Sequence, residues 1–155
     1  MYINHNCKDQ KIFLDQSEYL NKVLAWFNVT TNLTSIPLSL GYIFKSNDKQ
    51  CNPNFCQEYQ QMVGFLMYLM IGSYPNIGCT VVKLAQQMAN LSNRHYWAGL
   101  HFCRYLFNTC KYWIVYDRLS NKSIVAYSDS DWAQDLESHK YVTGYFTLMA
   151  WGVIS

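Results

Sequence analysis

The sequence has 155 residues, of which 50% are apolar, enough to supply a core and to exclude a disordered tail. Charged residues make up only 14% and aromatics 17%, leaving a ring-rich, sticky chain. The formal net charge of +2 provides no footprint from which nucleic-acid binding could be argued.

In chain order, Lys11 to Leu14 alternates like a short strand. Asp15 or Ser17 can then cap a helix whose apolar positions Leu20, Val23, Leu24 and Phe27 recur at helical spacing. From Asn28 to Pro53 the text is punctuated by Thr, Asn, Ser, Gly and Pro and reads as an irregular connection. A second helix is expected from Phe55 to Met70, with Tyr59, Met62, Val63, Leu66 and Met70 along one side. Its apolar run from Met62 to Gly72 falls short of the roughly twenty residues a membrane span needs, so a buried helix and no membrane are expected. A third helix starts near Ile77, carries Val81, Leu84, Ala85 and Met88, and ends at about Asn90. The fourth begins beyond Ser92, with Tyr96, Leu100, Cys103, Arg104 and Phe107 at three- and four-residue steps.

The period then changes to that of strands. Tyr112–Tyr116, Ser123–Tyr127 and Tyr141–Met149 read as three strands, and Trp151–Ser155 as the beginning of a fourth. Helices followed by strands predict an α+β fold, or the end of one domain and the start of the next. A sheet stopping at Ser155 would leave an edge and a face uncovered, so the expectation is a truncated sheet.

Isolated residues carry little chemistry. Cys7, Cys51, Cys56, Cys79, Cys103 and Cys110 lack the two-residue gap of zinc ribbons and redox motifs. His5, His95, His101 and His139 fall on separate elements. Sequons at Asn28, Asn32, Asn90 and Asn121 arise by chance in an Asn-rich chain. Because Met1 is followed by Asn4, His5 and Asn6 rather than by a signal peptide, the expected compartment is the cytoplasm or nucleus, with reduced thiols and no secretion. Trp97, Trp113 and Trp132 have the ring chemistry to stack bases, but without surrounding Arg or Lys they are expected to be packing residues.

Acidic groups gather only in Tyr127-Ser128-Asp129-Ser130-Asp131-Trp132-Ala133-Gln134-Asp135, directly after a strand. Alternation puts Asp129 and Asp131 on one side. Grouped carboxylates suit Mg²⁺, a hard cation that prefers oxygen, and two such ions can drive phosphodiester hydrolysis. The competing reading is a turn held by Asx-type hydrogen bonds.

The wider text bears on that choice. YSDSDWAQD followed by HKYVTGYFTLMAWGVIS resembles the opening of the ribonuclease H domain in copia-type retrotransposon Pol polyproteins, which reads Y-S-D-A-D-W-A-G-D, then T/S-G-Y-x-F and G-x-I-S-W. Upstream, YQQMVGFLMYLMIGSYPNI is similar to the family's Y-x-x-x-V-G-S-L-M-Y-L-x-x-G-T-R-P-D-I, and Arg104-Tyr105-Leu106 to its R-Y-L. IFLDQSEYLNKVLAWFNV resembles I-x-L-S-Q-x-x-Y-x-x-x-I-L-x-x-F-x-M, and Ile36-Pro37-Leu38 the T-P-L after it. These blocks stand in the family's order across nearly the whole chain.

The resemblance implies that residues 1–110 are the C-terminal part of a reverse transcriptase, with palm-end and thumb or connection helices. Residues 111–155 would be the first strands of an incomplete ribonuclease H-like domain. The polymerase Y-V-D-D element is absent from the sequence. Asp129 would be the first metal ligand of the ribonuclease H site, whose other carboxylates come from later helices, so Mg²⁺ is a cofactor of the parent family that this chain alone does not hold productively. Lys140 and Arg104 remain as contacts to an RNA–DNA hybrid, and the other implied partners are the remaining Pol segments. Tyr74 and Asn76 replace the Arg and Asp of R-P-D, Gln134 replaces a Gly, and Leu100-His101 replace a Lys-Arg pair, removing phosphate contacts. The expectation is an inactive remnant of a mobile element. A domesticated interaction module and a truncated gene model of an active enzyme are the alternatives.

Overall fold

The computed structural model describes residues 1–29, 34–38, 42, 52–109, 112–120, 123–130 and 143–154. These residues form an α+β fold of four α-helices and six short β-strands. The chain divides into two compact units, a helical one of Met1–Tyr2 and Asp15–Trp113, and a strand unit of Ile3–Leu14 and Ile114–Ser155. Most of the expected irregular connection between Asn28 and Pro53 lies outside the described residues.

In the helical unit, α1 spans Ser17–Trp26 and buries Leu20, Val23 and Leu24. Its N-cap is Gln16, not Asp15 or Ser17, although the Asp15 carboxylate accepts the Ser17 backbone N–H at 2.7 Å. Gln16 is buried because its Oε1 accepts the Ser73 hydroxyl at 2.8 Å, tying the start of α1 to the end of α2, Pro53–Gly72. A Cβ on Gly72 would overlap the Gln16 carboxamide, so this closure needs the glycine. At its other end α1 stops in a Schellman arrangement. Asn28 takes φ 52°, its N–H reaches the Ala25 carbonyl, and the Val29 N–H reaches that of Leu24. Val29 and Leu24 both join the core.

Helix α2 starts earlier than its apolar periodicity implies. Pro53 has no N–H to lose at the first turn, and the Asn52 side chain accepts the Asn54 N–H at 3.1 Å. Tyr59, Met62, Val63, Leu66 and Leu69 are fully buried. The Tyr59 hydroxyl donates to the Leu84 carbonyl at 2.8 Å, and burial pushes its pKa well above the ordinary tyrosine value. The run Met62–Gly72, expected from its composition to be a buried helix, is buried on one side only. Met67, Tyr68 and Ile71 face outward, Ile71 with 80% of its surface exposed.

The third predicted helix is shorter than its apolar spacing. Helix α3 covers Gly78–Gln86 between 3₁₀ turns at Pro75–Ile77 and Gln87–Ala89, with Pro75 opening the first of them. Helix α4 spans Asn93–Asn108 and buries His95, Tyr96, Ala98, Gly99, Leu100, Phe102, Cys103 and Leu106. Ser92 precedes it in extended conformation and donates its N–H to His95 Nδ1 at 3.3 Å, so this buried histidine closes the helix start.

The strand unit contains an element that sequence reasoning did not anticipate. Strand β1, Tyr2–Asn6, precedes β2, Lys11–Asp15, and β3, Ile114–Asp117, in a sheet of that order. Its text, YINHN, follows two strand formers with Asn4, His5 and Asn6 and is largely exposed, so no burial period marks it. The turn after it is built by Asn6, whose Oδ1 accepts the N–H groups of Lys8 and Asp9 at 3.1 and 3.2 Å. Strands β2 and β3 run antiparallel with Lys11 opposite Asp117, where an ion pair forms at 3.3 Å. The Leu119 N–H and the Lys11 ammonium hold the Asp117 carboxyl below its ordinary pKa.

The second sheet has the order β4-β5-β6, with β4 at Val125–Ser130, β5 at Thr143–Met149 and β6 at Gly152–Val153. Boundaries shift from the predicted ones. Tyr112 and Trp113 precede β3 and are exposed, Tyr141 lies outside the described residues, and Trp151 belongs to a turn rather than a strand. Ala150 and Trp151 both take positive φ, 52° and 65°, in the two-residue connection from β5 to β6. The Tyr116 ring lies against Gly152, where a Cβ would overlap it, and its hydroxyl donates to the Val153 carbonyl at 2.6 Å. The Asp117 N–H reaches the Ala150 carbonyl at 3.0 Å, which links the two sheets.

Candidate metal and nucleic-acid site

Asp129 is carried by the β4–β5 hairpin, whose antiparallel register places it opposite Gly144. Two residues earlier, Tyr127 stands opposite Phe146, and their rings stack at 4.8 Å between centroids with planes 16° apart. That cross-strand pair sets the register. A one-residue slip would separate the rings. Val125 and Tyr127, two residues apart on β4, are both exposed.

The other predicted site residues are placed unevenly. Asp131, Trp132, Asp135 and Lys140 lie outside the described residues. Arg104 is half-buried on α4 in the helical unit, whereas Asp129 belongs to the strand unit. Among the described residues no three His, Cys, Asp or Glu side chains gather at a metal-binding spacing. One carboxylate position on a strand does not meet the demand of Mg²⁺ for several oxygen ligands, so the described residues do not fit a resident metal. No described helix is long and apolar enough to cross a membrane.

The sequence reading misplaced Trp97 and Trp113. Expected as packing residues, both are exposed, Trp97 to 57%. Trp97 stands on the outer side of α4 with Arg94, His101 and Arg104, at steps of three, four and three residues. At about 100° per residue these four positions fall within roughly an 80° arc of the helix. The opposite arc is buried. Neighbouring groups hold this face in place. The Arg94 guanidinium lies over the Tyr42 ring, 5.3 Å from its centroid, and the Tyr42 hydroxyl donates to the Arg94 carbonyl at 3.2 Å. His101 Nε2 is 3.2 Å from the Ile36 carbonyl. Trp97 meets Tyr96 edge-on at 5.7 Å, and Tyr96 stacks on Phe55 at 4.7 Å. A signal for this face was present in the text. No Asp or Glu occurs between Glu58 and Asp117, a stretch carrying Lys83, Arg94, Arg104 and Lys111.

Neither a protein-family model nor a solved structure matches the chain. Its similarity to curated proteins is extensive. Over 150 residues it is 31% identical to the retrovirus-related Pol polyprotein from transposon RE1 of Arabidopsis thaliana, and over 154 residues 29% identical to that from transposon TNT 1-94 of Nicotiana tabacum. These alignments cover 93% and 94% of the chain. The chain belongs to the copia-type retrotransposon Pol family. It corresponds to one segment of those Pol polyproteins, spanning 10% of the RE1 protein and 11% of the TNT 1-94 protein. Beside these Pol proteins, 97 residues are 34% identical to the secreted RxLR effector protein 161 of Plasmopara viticola, covering 63% of this chain and 68% of that protein.

Proposed function

We propose that this Pol segment joins the end of a reverse transcriptase, residues 1–110, to the start of a ribonuclease H, residues 111–155, and catalyses nothing by itself. The observation that carries the reading is the antiparallel pairing of β4 with β5, in which the Y-S-D-S text of residues 127–130 ends β4 and Asp129 stands by register opposite Gly144. In that reading α1 to α4 are thumb or connection helices. Asp129 supplies one position of a two-metal site whose other ligands belong to further Pol segments, the partners that the chain requires. Mg²⁺ and an RNA–DNA hybrid would then be engaged by the assembled polyprotein.

Hybrid cleavage tests this directly. The 155-residue chain with Mg²⁺ is expected to leave the RNA strand intact. A longer Pol polypeptide carrying the downstream ribonuclease H half is expected to cleave it and to lose at least about a hundredfold in rate with Asp129→Asn, a loss of the size expected for disrupted metal coordination. Mg²⁺-dependent cleavage by the short chain, abolished by Asp129→Asn, would overturn the proposal. So would full activity of the longer polypeptide without Asp129.

A further inference from the structure

We propose that His5 and Cys7, where β1 turns towards β2, form an exchangeable two-point site for a borderline-soft divalent cation, and that Zn²⁺ is the ion it suits. Cys7 Sγ lies 3.7 Å from His5 Nδ1. Tetrahedral zinc, with Zn–S of about 2.3 Å and Zn–N of about 2.0–2.1 Å, holds a sulfur and a nitrogen ligand about 3.6 Å apart. The pair therefore already spans one edge of a zinc tetrahedron. Thiolate and imidazole both suit Zn²⁺, whereas Mg²⁺ asks for oxygen, so this donor set is of a different kind from the carboxylate text at Asp129. Both residues are exposed, which leaves the remaining coordination positions to water and lets the ion enter and leave.

The turn between the donors is preset, which lowers the entropy lost on binding. Asn6, the residue that separates them, accepts the Lys8 and Asp9 N–H groups on its Oδ1 at 3.1 and 3.2 Å and donates from Nδ2 to the Asp9 carboxylate at 2.7 Å. A thiol–imidazole hydrogen bond is the simpler use of the same approach, but between two exposed groups it competes with water and contributes little. A metal ion changes that balance. It displaces the thiol proton, takes the lone pair of the neutral imidazole and joins the end of β1 to the turn that follows it. Strand β1 has no buried period of its own, so an ion bound only by the formed turn stabilises the strand by mass action. The His-x-Cys gap of one residue is also why a search for two-residue cysteine spacings passes over the pair. The inference does not depend on the role of Asp129, and its readout is separate from hybrid cleavage.

The experiment is alkylation of the full chain by iodoacetamide in a non-chelating buffer, with and without Zn²⁺, read cysteine by cysteine from peptide mass spectra. Zinc is expected to slow modification of Cys7 at least about tenfold, because a metal-bound thiolate is a poor nucleophile, while exposed Cys79 serves as the internal reference and changes less than about twofold. Mg²⁺ at the same concentration should protect neither. His5→Ala should remove the protection of Cys7 while leaving its rate without metal within about threefold of the parent. Asn6→Ala keeps both donors but loosens the turn, and should reduce the protection severalfold. Hydrogen exchange of the β1 amides should slow when Zn²⁺ is added to the parent chain and not when it is added to His5→Ala. Both substitutions are at the surface, and far-UV circular dichroism checks that each variant is folded. Equal protection of Cys7 and Cys79, protection that persists in His5→Ala, or protection by Mg²⁺ would each mean an adventitious ion only and would overturn the proposal.

Discussion

Cys103 lies wholly buried on the inner side of α4, and burial pushes its thiol pKa up to about 12. The thiolate is the reactive form, so at neutral pH this cysteine is inert for two reasons, its protonation and its enclosure. Cys7 and Cys79 are exposed. Iodoacetamide treatment of the native chain followed by peptide mass spectrometry is therefore expected to modify Cys7 and Cys79 at least about tenfold faster than Cys103, with the difference vanishing in denaturant. Equal labelling of Cys103 in the native chain would mean that the α2–α4 packing is not as described. Cys103 and its neighbour Arg104 also show what a helical stripe does and does not encode. Spacing put both on the same predicted helix, but only packing separates the inward thiol from the guanidinium beside it.

At the scale of elements, turns explain more than propensities. The end of α1 was legible because Phe27-Asn28-Val29 places Asn where the chain turns left-handed and an apolar residue where it returns to the core. The β5–β6 connection has the opposite character. Ala150 and Trp151 occupy left-handed conformations that favour Asn and Gly, at a cost of roughly 1–2 kcal/mol for each residue with a Cβ. Trp151 is 76% exposed and recovers little by packing. Ala150→Asn combined with Trp151→Gly is expected to stabilise the chain by about 1–2 kcal/mol, read as a higher denaturant midpoint at unchanged slope. A lower midpoint would show that this turn is not the left-handed pair. Gly152, pressed by the Tyr116 ring, should tolerate no such change.

Across the whole molecule, the core lies in the helical unit, where the buried faces of α1, α2, α3 and α4 contribute. Apolar groups also remain outside it. On α2, Met67, Tyr68 and Ile71 follow one another at helical spacing on the outer side, next to the edge-on pair of Tyr19 and Tyr68 at 4.8 Å. Such a stripe favours self-association. Met67→Lys with Ile71→Glu is expected to raise the concentration at which the chain stays monomeric, measured by light scattering, while changing stability by less than about 0.5 kcal/mol, as surface substitutions do. A loss of several kcal/mol would mean that these side chains pack within the molecule.

The local chemistry of this sequence was sufficient to reveal the family, the α+β class, four helices and the later strands, because each rests on short-range periodicity or contiguous motif text. The helical stripes through Leu20 and Leu24, Tyr59 and Leu66, and Tyr96 and Cys103 all became buried faces. Asp129 was legible as a strand-end carboxylate, and its strand and partner came from the register opposite Gly144. Tertiary structure alone decided what depends on distant partners. Strand β1 lacks any apolar period and exists through pairing with β2, in the sheet that β3 completes from the far end of the chain. Gln16 was drawn inside by Ser73, a residue remote in sequence. Trp97 stayed outside although its indole is apolar, because the buried arc of α4 was already filled by Tyr96, Phe102, Cys103 and Leu106. A sequence records which side chains favour burial, but the finite area of a core determines which of them are buried.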